Sequence, residues 1–194
     1  MIEEKIFMKN PYIYGYLPLI TILLFSLTFG MYAVSKSLQV FHAIGVYSGM
    51  REFLSDFELR VFLLIVFAVI FFMLFSALKL VGETIHELGM LFFSKDHDGA
   101  TVNQARGGYI ILLVGAICSA FAIQFIYVLV GIFVLTVFIY FIYLIYKMSH
   151  YMSMGGTIGL LVFELFMWTI LLTLLVYVVL KLYNGILASL PFAH

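Results

Sequence analysis

Residues 108–147 read GYIILLVGAICSAFAIQFIYVLVGIFVLTVFIYFIYLIYK, and their composition sets the class of structure. The stretch contains 40 residues and carries no formal charge before Lys147. As one straight helix it would be about 60 Å long, roughly twice the thickness of bilayer hydrocarbon. We therefore expect two short membrane spans joined by a tight turn between Gln124 and Gly131.

The rest of the chain has the composition of a membrane protein as well. Of its 194 residues, 65% are hydrophobic and 10% are charged, and the mean hydropathy is +1.18. Soluble domains carry about 25% charged residues, so the lipid bilayer is the expected solvent of this chain. The net charge is zero and no basic stripe is present, so no nucleic-acid partner is predicted.

The apolar runs predict an all-α integral membrane protein, a single domain over residues 1–194 with about five transmembrane helices. The expected spans are 16–34, 60–82, 108–126, 128–147 and 157–182. An interfacial segment, residues 35–58, should follow the first span, because it mixes charged and apolar side chains. We expect it to turn at Gly45 and Gly49. The second apolar run should continue to Phe93 as an amphipathic extension.

Lysine and arginine residues favour a cytoplasmic N-terminus. With five spans, one side receives six of them, Lys5, Lys9, Lys79, Lys95, Arg106 and Lys147. The other side receives four, Lys36, Arg51, Arg60 and Lys181. Cytoplasmic loops carry an excess of these residues, so we predict a multi-pass protein of the cell membrane with its N-terminus inside.

Glu164 is the leading candidate for a functional residue. It lies within the last apolar run, and a carboxyl in that setting needs a partner, a hydrated cavity or a bound proton. Lys79 reaches a similar depth from the same side, so a Glu164–Lys79 pair is expected. The functional interpretation is that Glu164 and Lys79 bind a proton or another cation. The alternative is a packing hydrogen bond near the interface.

The stretch Glu83-Thr-Ile-His86 resembles metal-binding motifs without completing one. The zincin motif requires a second histidine where this chain has Met90, and a di-iron helical bundle requires a second Glu-x-x-His. Glu83 could instead pair with Lys79 at i, i+4. Glu83 and His86 are therefore weak metal candidates, and we predict neither a metal nor another cofactor. No complete catalytic constellation is visible, so the sequence does not predict an enzyme.

Small residues in the last three spans predict close contacts between helices, within one chain or between copies. They are Gly115 with Ser119, Ala116 with Ala120, and Gly155, Gly156 and Gly159. Two semi-polar helix faces have two interpretations, a shared hydrated path or hydrogen bonds between helices, and we favour the second. Those faces comprise Thr136, Tyr140 and Tyr143, and Thr169, Thr173, Tyr177 and Lys181.

Three segments resemble the YufK-like family of small multi-spanning membrane proteins from spore-forming Gram-positive bacteria. They are YGYLPLITILLFSLTF, VYSGMREFLSDFE and ELGMLFFSKD, residues 14–29, 46–58 and 87–96. The resemblance extends over most of the chain and implies a bacterial plasma membrane. It implies no activity, cofactor or residue role.

Two functions are compatible with these features. The first is a small transport or channel component that acts as an oligomer, because five short helices leave little room for a gated central site in one copy. The second is a non-catalytic accessory or assembly subunit of a larger membrane complex, which would use the small-residue faces and the interfacial segment.

Overall fold

The computed structural model describes the backbone of residues 11–94 and 106–189 and the side chains of residues 15–94 and 107–185. Within those ranges the regular structure is entirely helical, which confirms the all-α membrane fold. Of the residues counted for orientation, Lys5, Lys9, Lys95 and the side chain of Arg106 lie outside the described parts.

The described chain forms six α-helices. They are α1 (Pro11–Ala43), α2 (Val46–Met50), α3 (Asp56–Phe93), α4 (Tyr109–Ser119), α5 (Ile126–Ser149) and α6 (Met154–Ser189). Short 3-10 turns, Arg106–Gly108 and Ala120–Ala122, flank α4. The uncharged run of residues 108–147 is broken at residues 123–125, between the second of these turns and α5.

Four of the described segments are long and apolar enough to cross a membrane. They are Gly15–Ala43, Asp56–Phe93, Ile126–Ser149 and Met154–Gly185. The apolar helix Tyr109–Ala122 is shorter, about 21 Å at 1.5 Å per residue. Conversely, α3 has 38 residues and is about 57 Å long. Its C-terminal part is the amphipathic extension.

An aromatic cluster holds α1, α3 and α5 together. Phe25 and Phe29 of α1 meet Phe75 of α3, and all three pack against Phe133 of α5. The ring centroids of Phe75 and Phe133 are 4.9 Å apart. Apolar contact gives little net gain between helices that could otherwise contact lipid, so close packing of this kind carries the association.

The short helix α4 fits into this core through small residues. Ala116 and Ser119 are fully buried, and the hydroxyls of Ser119 and Thr28 lie 3.0 Å apart. A Cβ atom at Gly115 would overlap the side chain of Thr136 on α5. Gly115 therefore allows α4 and α5 to approach closely.

One glycine and one helix cap define the connection between α1 and α3. Gly45 has a φ angle of +76°, in the left-handed region, and ends α1. Gly49 lies inside α2, so its prediction as a turn residue is wrong. Ser55 and Glu58 form a reciprocal capping box that starts α3. Tyr47 donates its hydroxyl to Asp56 over 2.5 Å, and this bond holds the pKa of Tyr47 above its usual value.

Helix α6 packs on the bundle through its first half only. Leu160 is fully buried and Glu164 is 2% exposed, whereas every residue from 172 to 185 is exposed on the chain surface. The C-terminal end of α3 contacts the first turns of α6 and lies beside the start of α4. That end of the bundle contains the polar groups described next.

Candidate functional site

The C-terminal third of α3 presents three ionisable side chains on one face. Lys79, Glu83 and His86 follow one another at i, i+4 and i+7, a spacing that places side chains on the same side of a helix. Ile85 and Gly89, on the adjoining face, are buried. The polar face is therefore held against α4, α5 and α6 by the apolar packing beside it.

His86 and Glu164 form the most buried pair of ionisable side chains among the described residues. The Nδ1 atom of His86 lies 2.5 Å from Oε1 of Glu164, and the two side chains are 13% and 3% exposed. The contact joins α3 to α6 across 78 positions of sequence. A carboxyl at this depth thus has a direct partner.

Glycines bring α6 close enough to α3 for this contact. The backbone carbonyl of Phe93 lies 2.8 Å from the position of a Cβ at Gly156, and its ring occupies the space beside Gly159. On α3, Gly89 makes room for Leu160 and Phe163. Glu164 follows on the face of α6 that these small residues press against α3.

The second ring nitrogen of His86 faces a thioether. Its Nε2 atom lies 2.7 Å from Sδ of Met148, and Met148 is 1% exposed. The side chain belongs to the last full turn of α5, which packs with Leu144, Met90 and Met152. The imidazole is therefore held on both sides, by a carboxyl from α6 and a sulfur from α5.

A second polar group lies one turn away on α3. Lys79 donates to both carboxylate oxygens of Glu83 over 2.6 Å, and Tyr109 of α4 donates its hydroxyl to Oε1 of Glu83 over 2.8 Å. The side chains of Lys79 and Glu83 are 30% and 34% exposed. This pair is thus much more accessible than His86 and Glu164.

Tyr140 of α5 joins the two groups. Its ring stacks on that of Tyr109 with centroids 6.0 Å apart, and it packs against the cluster that contains Met148. Gly108 makes this arrangement possible, because a Cβ there would lie 2.8 Å from the rings of Tyr140 and Tyr143. Four helices therefore contribute to one polar site.

The predicted pairing of Glu164 with Lys79 is wrong, since Glu164 contacts His86 and Lys79 contacts Glu83. Both cationic candidates lie on one face of α3, and sequence alone does not determine how far α3 slides along α6. The alternative pairing of Lys79 with Glu83 is the one observed.

Sequence reasoning missed two members of the site, Tyr109 and Met148. Tyr109 begins α4 directly after the Gly107–Gly108 pair, and no feature of the sequence singled it out. The predicted span 128–147 ends one residue before Met148, but α5 continues to Ser149. Nothing in the pattern of a single methionine indicates a histidine contact.

The small residues divide into two groups. Gly115, Ala116 and Ser119 are buried inside the chain, and Gly156 and Gly159 contact Phe93. Ala120 and Gly155 are exposed on the chain surface. The first group belongs to the internal packing of the chain, whereas the second faces outward.

The favoured interpretation of the semi-polar faces is wrong for their threonines. Thr136, Thr169 and Thr173 each donate to a backbone carbonyl four residues earlier in their own helix. Such back-bonding satisfies a hydroxyl in an apolar setting without a second helix.

The weak metal candidates are placed in different contacts. Glu83 accepts from Lys79 and Tyr109, while His86 lies between Glu164 and Met148. Over residues 15–94 and 107–185, no group of three or more His, Cys, Asp or Glu side chains is arranged to hold a metal ion.

Two comparisons relate the chain to known proteins. Residues 34–191 match the profile of the family of unknown function DUF5366. The chain is also 36% identical over 184 residues to a protein of Bacillus subtilis (strain 168) named "Uncharacterized membrane protein YufK". That alignment covers 95% of this chain and 100% of the relative, and it confirms the YufK-like resemblance. No solved structure matches the chain significantly.

Proposed function

This chain belongs to the DUF5366 family of unknown function, and we propose that it is a small transport or channel component that acts as an oligomer and binds a proton at His86 and Glu164. Its apolar helices make it a multi-pass membrane protein, and its relative is named a membrane protein. The observation that carries the proposal is the buried contact of 2.5 Å between these two side chains.

The cost of burying such groups supports a functional role. Insertion of a charged side chain at the centre of a membrane helix costs about 2.5–3.5 kcal/mol, and ionisable residues in spans commonly serve proton relays or ion paths. Glu164 and His86 are both available to take up and release a proton. A packing role could be filled by apolar residues without this cost.

The geometry favours a proton over a larger cation. Metal sites in proteins usually have three or more protein ligands, and over residues 15–94 and 107–185 no group of three or more His, Cys, Asp or Glu side chains is arranged to hold a metal ion. One proton fits between the imidazole nitrogen and the carboxyl oxygen of the buried contact. Lys79, paired with Glu83 one turn away, is included in the proposal as the cation that balances the neighbouring carboxylate.

The oligomeric part of the proposal draws on α6. Residues 172–185 are exposed throughout on the surface of the described part of the chain. They include Thr173, Tyr177 and Lys181, which lie on one helix face. A second copy placed along this face would add the helices that a single short bundle lacks.

Proton flux into liposomes tests the proposed function. The purified protein is reconstituted with a pH-sensitive dye inside the vesicles, and a potassium gradient with valinomycin drives proton entry. We expect Glu164→Gln to lower the initial flux at least tenfold, since the amide cannot take up the proton. Circular dichroism and gel filtration establish that the variant is folded.

Glu87→Gln is the matched control. Like Glu164→Gln it removes one carboxylate, and Glu87 of α3 is next to His86 in sequence, but Glu87 is exposed on the chain surface. Its flux should equal that of the unmodified protein. Equal flux in all three proteins would overturn the proton-binding role.

An accessory or assembly subunit is the second candidate, and the exposed half of α6 also favours it. A subunit of a larger complex needs an outward surface for its partner. Gly115 and Ser119 are interior contacts, so the informative change is Thr173→Trp on the exposed face. An accessory role predicts one stoichiometric partner after purification from native membranes, its loss in this variant, and no proton flux.

A further inference from the structure

Both ring nitrogens of His86 are engaged, and the two contacts differ in chemistry. Nδ1 faces a carboxyl oxygen of Glu164, which can donate or accept according to its protonation. Nε2 faces the thioether of Met148 at 2.7 Å. A thioether has no hydrogen to donate and is only an acceptor, so the hydrogen in this contact has to belong to Nε2.

The opposite tautomer is disfavoured by the same contact. With its proton on Nδ1, a neutral imidazole would direct the Nε2 lone pair at the lone pairs of the Met148 sulfur. Met148 is 1% exposed, so water has little access to relieve the repulsion. Burial of an unpaired acceptor is costly in itself.

With a hydrogen on Nε2, one further proton completes the site. It can lie on Glu164, which then donates to Nδ1 of a neutral imidazole. Alternatively it lies on Nδ1, and an imidazolium donates to the carboxylate. Both forms contain one proton in the Nδ1–Oε1 contact and both have zero net charge, so neither places an unpaired charge in the bundle.

We infer that Met148 is a positioning residue that holds the Nε2–H form of His86, so that one exchangeable proton is shared by Nδ1 of His86 and Oε1 of Glu164. Any role of this proton in transport rests on the proposed function. The Nε2–H form explains why the site binds one proton. Release of that proton leaves two electron pairs facing each other, so the α3–α6 contact should open when the proton departs.

The other titratable side chains near this contact are paired, stacked or exposed. The proton shared by His86 and Glu164 is therefore the one that changes the charge of the contact. On α3, Lys79 is paired with Glu83, and Glu87 is exposed on the chain surface. Tyr109 of α4 donates to Glu83, and Tyr140 of α5 stacks on Tyr109. From α6, Leu160 and Phe163 pack beside Gly89 and add no titratable group.

Nitrogen NMR of the whole protein in lipid bilayers tests the inference directly. The chain is labelled with 15N-histidine, and the His86 signals are assigned by their loss in His86→Gln. The spectrum is recorded at several values of pH. We expect Nε2 of His86 to give the signal of a protonated nitrogen at each of them.

One substitution of Met148 tests its positioning role. Met148→Leu keeps the volume but removes the sulfur acceptor, and we expect Nε2 to be unprotonated in that variant, with the ring hydrogen on Nδ1 facing Glu164. An unprotonated Nε2 in the original protein would overturn the inference, as would a protonated Nε2 at every pH in Met148→Leu.

The NMR result and the flux result can fail independently. A protonated Nε2 together with equal flux in Glu164→Gln would overturn the proposed function and leave the tautomer assignment standing. An unprotonated Nε2 together with lost flux in Glu164→Gln would overturn only the role of Met148. The wild-type spectrum decides the assignment even where a Met148 variant does not fold.

Discussion

At the residue scale, the stability of the bundle depends on a few buried side chains whose substitutions are not independent of one another. The polar groups of His86 and Glu164 contact each other, and both side chains are largely buried. Removal of one member of a buried pair strands the other, whereas replacement of both by apolar side chains can be nearly neutral. Stability and function therefore respond differently to single and double substitutions here.

Glu164→Ala is expected to lower the free energy of unfolding by about 3–5 kcal/mol, because His86 loses its partner while it remains buried. The double variant His86→Leu with Glu164→Leu should recover most of this loss and should not conduct protons. Reversible unfolding in mixed detergent micelles measures both. A double variant as unstable as the single one would contradict the energetic account.

Gly115→Ala is expected to destabilise the fold by about 1–3 kcal/mol, the usual cost of overpacking. A Cβ there would overlap Thr136. Gly131→Ala on α5 is the matched control, since nothing lies within 4 Å of its Cβ position. Thermal unfolding in detergent compares them, and equal midpoints for the two variants would refute the tight α4–α5 contact.

Several residues of the candidate site could be predicted from the sequence, but the pairings between their side chains could not. A lone carboxyl in an apolar run indicates that Glu164 requires a partner, and the Glu83–His86 spacing places two polar groups on one helix face. The partner itself depends on how α3 and α6 are aligned along their axes. Gly89, Gly156 and Gly159 set that alignment through contacts with Phe93, Leu160 and Phe163, which no local pattern reveals.

At the element scale, the existence of a helix and the positions of its ends are decided by different features of the sequence. The apolar runs predict where helices exist, because their composition excludes water. Helix ends depend on local chemistry, such as the Ser55–Glu58 cap and the left-handed Gly45. The turn at residues 123–125 contains no Pro, Asn, Asp or Gly, so its position could only be bracketed from the length of the run.

The exposed half of α6 should mediate contact between copies. After Cys118 is replaced by serine, Thr173→Cys should form a disulfide-linked dimer under mild oxidation in native membranes. Val114→Cys, on α4 and also exposed, is the control and should remain monomeric. Non-reducing electrophoresis measures both, and a Thr173→Cys protein that stays monomeric would remove this face from the oligomer.

At the scale of the whole molecule, the α1–α3 connection and the polar site lie at opposite ends of the bundle. The α1–α3 connection lies at one end, where α3 starts. The other end contains the C-terminus of α3, the start of α6 and the polar site, because Phe93 contacts Gly156 and Gly159. Lysine and arginine counts predict that this second end faces the cytoplasm.

Cysteine labelling in intact cells tests that orientation. In a background without Cys118, Ser48→Cys should react with a membrane-impermeant maleimide from outside, because residue 48 lies in the exposed α1–α3 connection. Met154→Cys, which is 85% exposed at the start of α6, should react only after the cells are opened. The reverse pattern would invert the topology and place the polar site outside.

The length of α3 has a consequence for the environment in which this protein works. A helix of about 57 Å in hydrocarbon of about 30 Å must tilt or protrude, and its polar face lies near the protruding end. A thicker bilayer would draw Lys79 and Glu83 toward the acyl chains, while a thinner one would release them into the headgroups. Lipid chain length should therefore tune proton uptake, and reconstitution in a series of phosphatidylcholines of increasing chain length would reveal an optimum.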